Sequence, residues 1–190
     1  MKKTLHSFLI VAVILLGINF TAYSQAGATK SKIYRQAITT DPITLLVNER
    51  INVKYEQSIS KNNSFTADLM YNYSYNSKEY NNIGIILGAG YRWYFHNLFP
   101  EIRTRGIEGL AVGPLVNLNY IRYTINEENS RNDIGFDVGI EALYKFVIFD
   151  NFAIEPTLRL GWGIPLTEAA KGYYHKDFQM WPGVSIGYAW

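Results

Sequence analysis

Apolar and polar residues alternate along most of the chain from residue 50 onward. Successive side chains of a β-strand point to opposite faces, so a period of two predicts strands with two chemically different faces. Seven stretches show this pattern, and they cover residues 50–59, 65–75, 84–95, 109–124, 136–148, 152–162 and 180–190. The sequence therefore predicts an all-β protein.

The last stretch, from Met180 to Trp190, indicates which face belongs inside. Every second residue back from Trp190 is apolar or aromatic, whereas the intervening positions hold mainly glycine, alanine and serine. In the other stretches the intervening positions also hold charged residues. A soluble ligand-binding barrel would carry its apolar set inward, but a membrane barrel turns that set toward lipid. We therefore expect a transmembrane barrel.

The connections between these strands differ in length. Short turns are expected at residues 60–63 and 150–151, longer loops at 76–82, 126–133 and 165–177, and a connection at 96–108. Transmembrane barrels place short turns on the periplasmic side and long loops outside.

This rule requires one strand more than the seven that the pattern shows. With the last strand ending in the periplasm, seven strands bring the chain in from the wrong side, so an eighth strand must precede Arg50. It lies either at residues 31–37, with a turn at Asp41-Pro42, or at residues 43–47, with a turn at 48–49. Prolines 114, 156 and 182 fall inside predicted strands, where we expect β-bulges to accommodate them.

The N-terminus reads as a secretory signal. Lys2 and Lys3 precede an apolar run from Phe8 to Phe20, and Ala22-Tyr23-Ser24 is a small-x-small cleavage site. A membrane anchor helix is the alternative, but the run is short for a span. The predicted organisation is a signal peptide at residues 1–24 and a barrel domain at residues 25–190.

Composition excludes several classes of protein. The chain has 18 Lys and Arg against 16 Asp and Glu, a formal charge of +2, and removal of residues 1–24 takes away two lysines and leaves zero. A neutral chain without a basic run argues against nucleic acid as a partner. The absence of cysteine excludes disulfides and a lipoprotein anchor. Fifteen Tyr, ten Phe and four Trp fit the two aromatic girdles of a membrane barrel.

Several short motifs resemble those of known proteins. Four segments resemble eight-stranded outer-membrane β-barrel families of uncharacterised function. They are Tyr55-Glu56, residues 91–95, residues 109–114 and the hairpin at residues 135–163. The C-terminal residues also resemble the insertion signal of Gram-negative outer-membrane barrels, with Val184, Ile186, Tyr188 and Trp190 as its outward positions. The resemblance implies an eight-stranded antiparallel transmembrane up-and-down β-barrel. It also implies location in a Gram-negative outer membrane, with membrane lipid and the barrel-assembly machinery as partners, and it implies no activity.

Charged residues at the inward positions are the candidate functional site. Five cations and five anions balance there, namely Arg50, Lys54, Arg92, Lys145 and Arg159 against Glu56, Asp68, Asp137, Glu141 and Glu155. Ionisable groups inside a membrane-spanning body must be paired or hydrated. Because an eight-stranded barrel is only just wide enough for its side chains to fill, we expect a network of paired charges that closes the lumen.

Candidate catalytic and metal-binding residues are few. After the signal peptide only His96 and His175 remain, and they fall in connections at opposite ends of the barrel, so they cannot share a metal ion. Glu127, Glu128 and Asp133 lie in a predicted loop where calcium would bind only weakly. We expect no catalytic residue, no metal site and no cofactor.

These observations favour a non-enzymatic, monomeric barrel with a structural role or a role in binding through its loops. The loops at residues 126–133 and 165–177 are the surfaces expected to contact an extracellular partner. The alternatives are a small ion or solute channel and a lipid-modifying outer-membrane enzyme.

Overall fold

In the computed structural model, eight antiparallel strands close into one barrel. Each strand pairs with the strands before and after it in the chain, and the last strand pairs with the first. The structure describes residues 33–48, 50–77, 80–96, 106–125, 129–167 and 178–190, so the predicted signal peptide lies outside the described residues. The strands are β1 (Gln36–Thr40), β2 (Arg50–Ser58), β3 (Asn63–Ser77), β4 (Tyr80–Tyr94), β5 (Gly109–Ile125), β6 (Asn129–Ile148), β7 (Phe152–Pro165) and β8 (Phe178–Ala189). The predicted fold class and strand number are confirmed.

A short helix, α1 (Pro42–Asn48), separates β1 from β2 in the chain. Of the two predicted positions for the first strand, the one at residues 43–47 is therefore wrong, because those residues are helical. The carboxylate of Asp41 caps the helix by accepting hydrogen bonds from the N–H groups of Ile43 at 2.9 Å and Thr44 at 3.1 Å. Pro42 occupies the first helical position, where its missing N–H has no cost. Among the described residues, no helix is long and apolar enough to cross a membrane.

The pairing around the barrel is staggered. When the paired residues are followed from Ala37 through β2 and each later strand in turn, the residue reached on β8 is Gln179. On its other edge β1 pairs directly with β8, and there Ala37 pairs with Ala189. The barrel thus closes with an offset of ten residues along β8. Such a shear for eight strands corresponds to strands tilted by about 35–45° from the barrel axis.

The two ends of the barrel differ in the turns and strand ends that they hold. The inner end holds Trp190 and the turns at residues 59–62 and 149–151, and the outer end holds the first residue of β8, Phe178. At the inner end Phe149 and Asp150 both have positive φ, 48° and 68°, which is the geometry of a tight hairpin turn.

Two predicted loops at the outer end are largely strand instead. β3 continues to Ser77 and β4 starts at Tyr80, so all the described residues of the loop expected at residues 76–82 belong to strands. β6 starts at Asn129, so most of the loop expected at residues 126–133 belongs to that strand. These strand ends lack an apolar face, which is why their alternation is invisible in the sequence.

The strand prolines are accommodated without bulges, contrary to expectation. At Pro114 the β4–β5 pairing skips Tyr91 and Arg92 and resumes in the same register, and at Pro156 the β6–β7 pairing skips two pairs in the same way. Gly113, beside Pro114, must be glycine because a Cβ there would lie 1.6 Å from the carbonyl oxygen of Tyr91.

Pro182 lies on an edge of β8 that has no strand partner. Trp190 pairs with Gln36 by two backbone hydrogen bonds, so every second residue back from it, including Pro182, turns its backbone groups toward β1. The pairing with β1 ends at Ile186, and α1 packs against β2 and β8 beyond it. The missing N–H of Pro182 therefore removes no ladder hydrogen bond.

The barrel is apolar outside and charged inside. Ile140 is 53% exposed, whereas its neighbour Glu141 is buried. The exposed apolar residues on the wall include Ile51, Val53, Leu69, Tyr71, Ile85, Leu87, Val116, Leu118, Tyr120, Val138, Leu158, Trp162, Met180 and Tyr188. This distribution is the reverse of that in a soluble protein and is the one that lipid requires.

Candidate functional site in the lumen

Arg92 is the centre of the charged lumen. It projects inward from β4, is 1% exposed, and contacts three carboxylates from three other strands. Its guanidinium nitrogens lie 2.5 Å from Glu56, 2.6 Å from Glu141 and 2.9 Å from Glu155. A planar guanidinium with five N–H donors can satisfy several carboxylates at once, which a lysine ammonium at this position cannot do as well.

Two lysines complete the charge balance around Arg92. The ammonium of Lys54 lies 2.8 Å from Glu155 and 3.7 Å from Glu141. The ammonium of Lys145 contacts Glu56 and lies 3.0 Å from Glu155. Three cations and three anions therefore share the centre of the lumen. We call Lys54, Glu56, Arg92, Glu141, Lys145 and Glu155 the inner charge cluster.

Two neutral residues that the sequence did not single out also bind this cluster. The hydroxyl of Ser64 donates a hydrogen bond to Glu56, and the hydroxyl of Tyr94 donates another to the same carboxylate at 2.7 Å. Both residues lie at inward positions of their strands, so the period of two was the signal that could have found them. Glu56 is consequently surrounded by donors.

Arg159 and Asp68 extend the cluster toward the outer end. The guanidinium of Arg159 lies 2.7 Å from Glu141 and 3.2 Å from Asp68. Both residues also line a cavity of about 10 Å³ with Thr66, Asn117 and Glu141. That is roughly the space one water molecule needs.

Arg50 and Asp137, the remaining two predicted network residues, lie apart from the cluster. Asp137 accepts a hydrogen bond from the side-chain amide of Asn119 at 2.8 Å. Arg50 takes part in none of the ion pairs found among the described residues, and its Nε atom is buried without a hydrogen-bond partner. Eight of the ten predicted residues are joined to one another by ion pairs, and Arg50 and Asp137 interact electrostatically with each other outside that group.

An apolar floor closes the inner end of the lumen, and the sequence did not predict it. The segment 106–108, just before β5, places Ile107 at 0% exposure beside Tyr34, Tyr94 and Leu143. The backbone N–H of Ile107 donates to the carbonyl oxygen of Tyr34 at 3.1 Å. Its side chain therefore fills the barrel below the inner charge cluster.

Glu108 anchors this floor to the wall. Its carboxylate accepts a hydrogen bond from the backbone N–H of Val147, but burial is the larger effect and raises its pKa from 4.5 to about 7. Burial likewise raises the pKa of Tyr34, whose hydroxyl donates to the carbonyl oxygen of Asp150 at 2.9 Å. The floor thus contains a carboxyl group that titrates near neutral pH.

Of the candidate catalytic and metal-binding residues, the structure describes only His96 and Asp133. His96 stacks on Tyr94 with ring centroids 5.7 Å apart, and its Nε2 lies 3.1 Å from the carbonyl oxygen of Glu108. His175, Glu127 and Glu128 lie outside the described residues, and Asp133 belongs to β6 instead of a loop. Among residues that the structure describes, no group of three or more His, Cys, Asp or Glu is placed to hold a metal ion.

The four residues of the predicted insertion signal lie on the outward side of β8 and just beyond it. Tyr188 and Trp190 are 52% and 42% exposed, and their ring centroids lie 5.9 Å apart. Val184 and Ile186 are partly buried. Tyr188 and Trp190, at the inner end, are therefore the more exposed pair of the four.

The fold has relatives among solved structures, although no family model and no curated protein matches the sequence. The N-terminal β-barrel domain of Pseudomonas aeruginosa OprF is 10% identical, with a TM-score of 0.53 over 85% of this chain and 100% of that one. Ail, the attachment invasion locus protein of Yersinia pestis, is 10% identical, with a TM-score of 0.48 over 84% and 100%. Neisserial surface protein A is 10% identical, with a TM-score of 0.45 over 82% and 92%. The likeness to the OprF domain shows the barrel fold.

Proposed function

We propose that this protein is a non-enzymatic, monomeric barrel of a Gram-negative outer membrane, with a filled, charge-paired lumen and a structural role or a role in binding through its loops. The observation that carries the proposal is the inverted distribution of side chains. Apolar residues such as Leu87 and Ile140 are exposed, and Arg92 and Glu155 are buried at the centre. Such a surface would aggregate in water, whereas lipid solvates it.

The contents of the lumen argue against a channel. A conducting pore needs a continuous hydrated path, but Arg92 joins β4 to carboxylates on β2, β6 and β7, and Ile107 fills the barrel below it. Buried ions are stable only when paired and hydrogen-bonded. The ion pairs therefore act as a fixed plug.

Electrophoretic mobility and conductance test these two parts of the proposal separately. Protein from an outer-membrane fraction should run faster unboiled than boiled, as a folded barrel that resists detergent does. The same material should give no unitary conductance in planar bilayers. Absence of a mobility shift, with the protein in the soluble periplasm, would overturn the membrane assignment. A mobility shift accompanied by unitary conductance would instead refute the filled lumen.

The assembly machinery is proposed as a partner during insertion, through Val184, Ile186, Tyr188 and Trp190. Trp190→Ala should lower the amount of folded barrel in cells but leave refolding into detergent intact. Trp162→Ala is the matched control, because Trp162 is also an outward tryptophan, 52% exposed, at the other end. Equal losses in the two variants would mean that general lipid contact, and no specific recognition, explains the effect.

An extracellular partner is proposed to bind the segment at residues 165–177, which is the loop expected between β7 and β8. Trypsin added to intact cells should cleave this segment, at Lys171 or Lys176, and should spare Lys61. Lys61 is an exposed residue in a turn at the inner end, so it reports the opposite side of the membrane. Cleavage at Lys61 alone would reverse the proposed orientation and withdraw the loop as a binding surface.

A further inference from the structure

The floor of the lumen is carried by a short segment between two glycines with positive φ. We call residues 106–108 the floor segment. Gly106 has a φ of 89° and Gly109 a φ of 100°, and no other glycine in the described part of the chain has a positive φ. Glycine adopts such angles at little cost and leaves them as readily, because it has no Cβ. Hinges consist of residues at the ends of a segment that absorb φ and ψ changes. Ile107 and Glu108 therefore lie between two positions at which the backbone can turn.

Single hydrogen bonds attach the backbone of the floor segment to its neighbours. The N–H of Ile107 donates to the carbonyl oxygen of Tyr34 at 3.1 Å, and the bridge between Tyr34 and Gly106 lies outside the named strands. On the other side, Nε2 of His96 lies 3.1 Å from the carbonyl oxygen of Glu108. Continuous pairing with β6 starts only where β5 begins. The segment can therefore move without breaking the pairing of the barrel wall.

The carboxyl group of Glu108 gives the floor segment a charge that changes near neutral pH. Burial disfavours its ionised form more than the N–H of Val147 favours it, so its pKa is raised to about 7. The phenols of Tyr34 and Tyr144 interact electrostatically with this carboxylate. The imidazole of His96 contacts the backbone carbonyl oxygen of the same residue. The groups that face the carboxylate therefore include two phenols.

Loss of the proton leaves an anion without an ion-pair partner. Glu108 takes part in none of the ion pairs found where the structure describes both residues. Lys145 pairs with Gly109 across β5 and β6, but its ammonium is held by Glu56 and Glu155. A half-buried carboxylate without a cation is stabilised by contact with water. Movement toward the aqueous side at the inner end supplies that contact.

We propose that the floor segment is a proton-controlled closure of the inner end of the lumen. With Glu108 protonated, the segment stays packed and Ile107 fills the barrel. When Glu108 releases its proton to water, the segment turns about Gly106 and Gly109 and carries Ile107 out of the lumen. The inner charge cluster still crosses the lumen above it, so the movement exposes that cluster to water from one side and opens no conducting path.

Hydrogen exchange of the backbone N–H of Ile107 tests this movement in the refolded barrel in nanodiscs. The closed state binds the proton of Glu108 more tightly, so closure is favoured at low pH. A carboxyl pKa of about 7 when closed and the ordinary 4.5 when open gives a fall of about 70-fold in the protection factor of Ile107 between pH 5 and pH 8. The N–H of Tyr94, which donates to the carbonyl oxygen of Asn62 at 2.7 Å, is the internal reference and should keep its protection.

Three variants separate the roles of the residues involved. Glu108→Gln removes the titrating group and keeps its size, so the protection of Ile107 should be high and independent of pH. His96→Gln should retain the pH dependence of the wild type, which distinguishes the carboxyl group from the imidazole. Gly106→Ala should hold the segment out at both pH values, because a Cβ there would lie 2.0 Å from the carbonyl oxygen of Tyr34.

A single cysteine gives a second readout, because the chain has no cysteine of its own. Reaction of Ile107→Cys with a water-soluble maleimide is compared with that of Lys61→Cys, at an exposed turn residue, which corrects for ionisation of the thiol. The ratio of the two rates should rise between pH 5 and pH 8, and the rise should disappear when Glu108→Gln is added.

Two results would overturn the proposal. One is a protection factor of Ile107 that is constant between pH 5 and pH 8, or that changes equally in wild type and Glu108→Gln. The other is a parallel loss of protection at Tyr94, which would mean that the whole inner end opens. All measurements use barrels whose unboiled mobility shows that they are folded, so either result would leave the proposed membrane location and the ion-paired lumen untouched.

Discussion

The two halves of the lumen satisfy their charges in different ways. In the inner half the carboxylates of Glu56, Glu141 and Glu155 all accept charged hydrogen bonds from Arg92. In the outer half, among the described residues, the Nε atom of Arg50 and both carboxylate oxygens of Asp133 are buried without a hydrogen bond, although Arg50 interacts electrostatically with Asp137 and Asp133 with Arg131. The same barrel therefore holds a saturated region and an unsaturated one.

This difference predicts where the loss of a charge should lower stability most. Saturated ions at the centre join distant strands and resist rearrangement, because removal of one leaves the others unpaired in a dry interior. An outer group such as Arg50 takes part in none of the ion pairs found among the described residues, so its removal should cost less stability. Four comparisons test this division, in decreasing order of the effect expected for the first variant of each.

Removal of Arg92 should have the largest effect. Arg92→Met leaves three carboxylates at the centre short of a partner, so the free energy of unfolding should fall by about 3–5 kcal/mol. Arg50→Met removes the same type of residue from the outer half, and the expected loss is under about 1 kcal/mol. Urea unfolding of the barrels in lipid vesicles, followed by tryptophan fluorescence, measures both. Similar losses in the two variants would contradict the division.

The floor at the inner end should make stability depend on pH through Glu108. Burial raises the pKa of the Glu108 carboxyl group in the folded protein to about 7, above the ordinary 4.5. Between pH 4.5 and pH 7 the folded protein therefore binds this proton more tightly than the unfolded chain does. Stability is therefore highest below pH 4.5 and falls as pH rises through 7, by up to about 3 kcal/mol from this group. Glu108→Gln should remove that contribution, which the difference in unfolding free energy between pH 5 and pH 8 measures. An identical pH dependence in wild type and variant would show that Glu108 is hydrated.

Loss of the Tyr94 hydroxyl should have a smaller effect. Tyr94→Phe removes the 2.7 Å hydrogen bond to Glu56, while Arg92 and Lys145 continue to pair with that carboxylate. The expected destabilisation is about 1–2 kcal/mol, as for a hydrogen bond to a charged group. Tyr123→Phe, the matched change in the outer half, should cost less than about 1 kcal/mol in the same urea assay. A larger loss at Tyr123 than at Tyr94 would reverse the assignment of the saturated half.

Neutralising Asp133 should give the smallest effect, and one of opposite sign. Asp133→Asn removes a buried charge whose oxygens make no hydrogen bond, so the barrel should become more stable by up to about 1 kcal/mol. Glu155→Gln provides the contrast, since Glu155 pairs with three cations and is 0% exposed. Thermal or urea unfolding measures the sign. Destabilisation by Asp133→Asn would indicate that the interaction of Asp133 with Arg131 outweighs its burial.

The sequence predicted the wall of the barrel better than its contents. The alternation around Ile85, Leu87 and Arg92 is local, so it identified strands and the side chains that face inward. It failed where a strand leaves the apolar belt, as at residues 129–133, because both faces are polar there. It also failed at residues 43–47, where three alternating apolar residues fit a strand but the Asp41 cap and Pro42 favour a helix.

The sequence by itself determined the number of strands, their faces and the inward charges within the apolar belt, because the direction of a side chain on a strand depends only on its position along that strand. It did not identify Asp133 as inward, because it placed that residue in a loop instead of β6. Only the tertiary structure decided which charges meet. Arg92 and Glu155 are 63 residues apart in the chain, and they meet because the ten-residue stagger brings their strands to the same level. The same closure places Ile107 beneath the cluster, since its burial depends on contacts across the lumen.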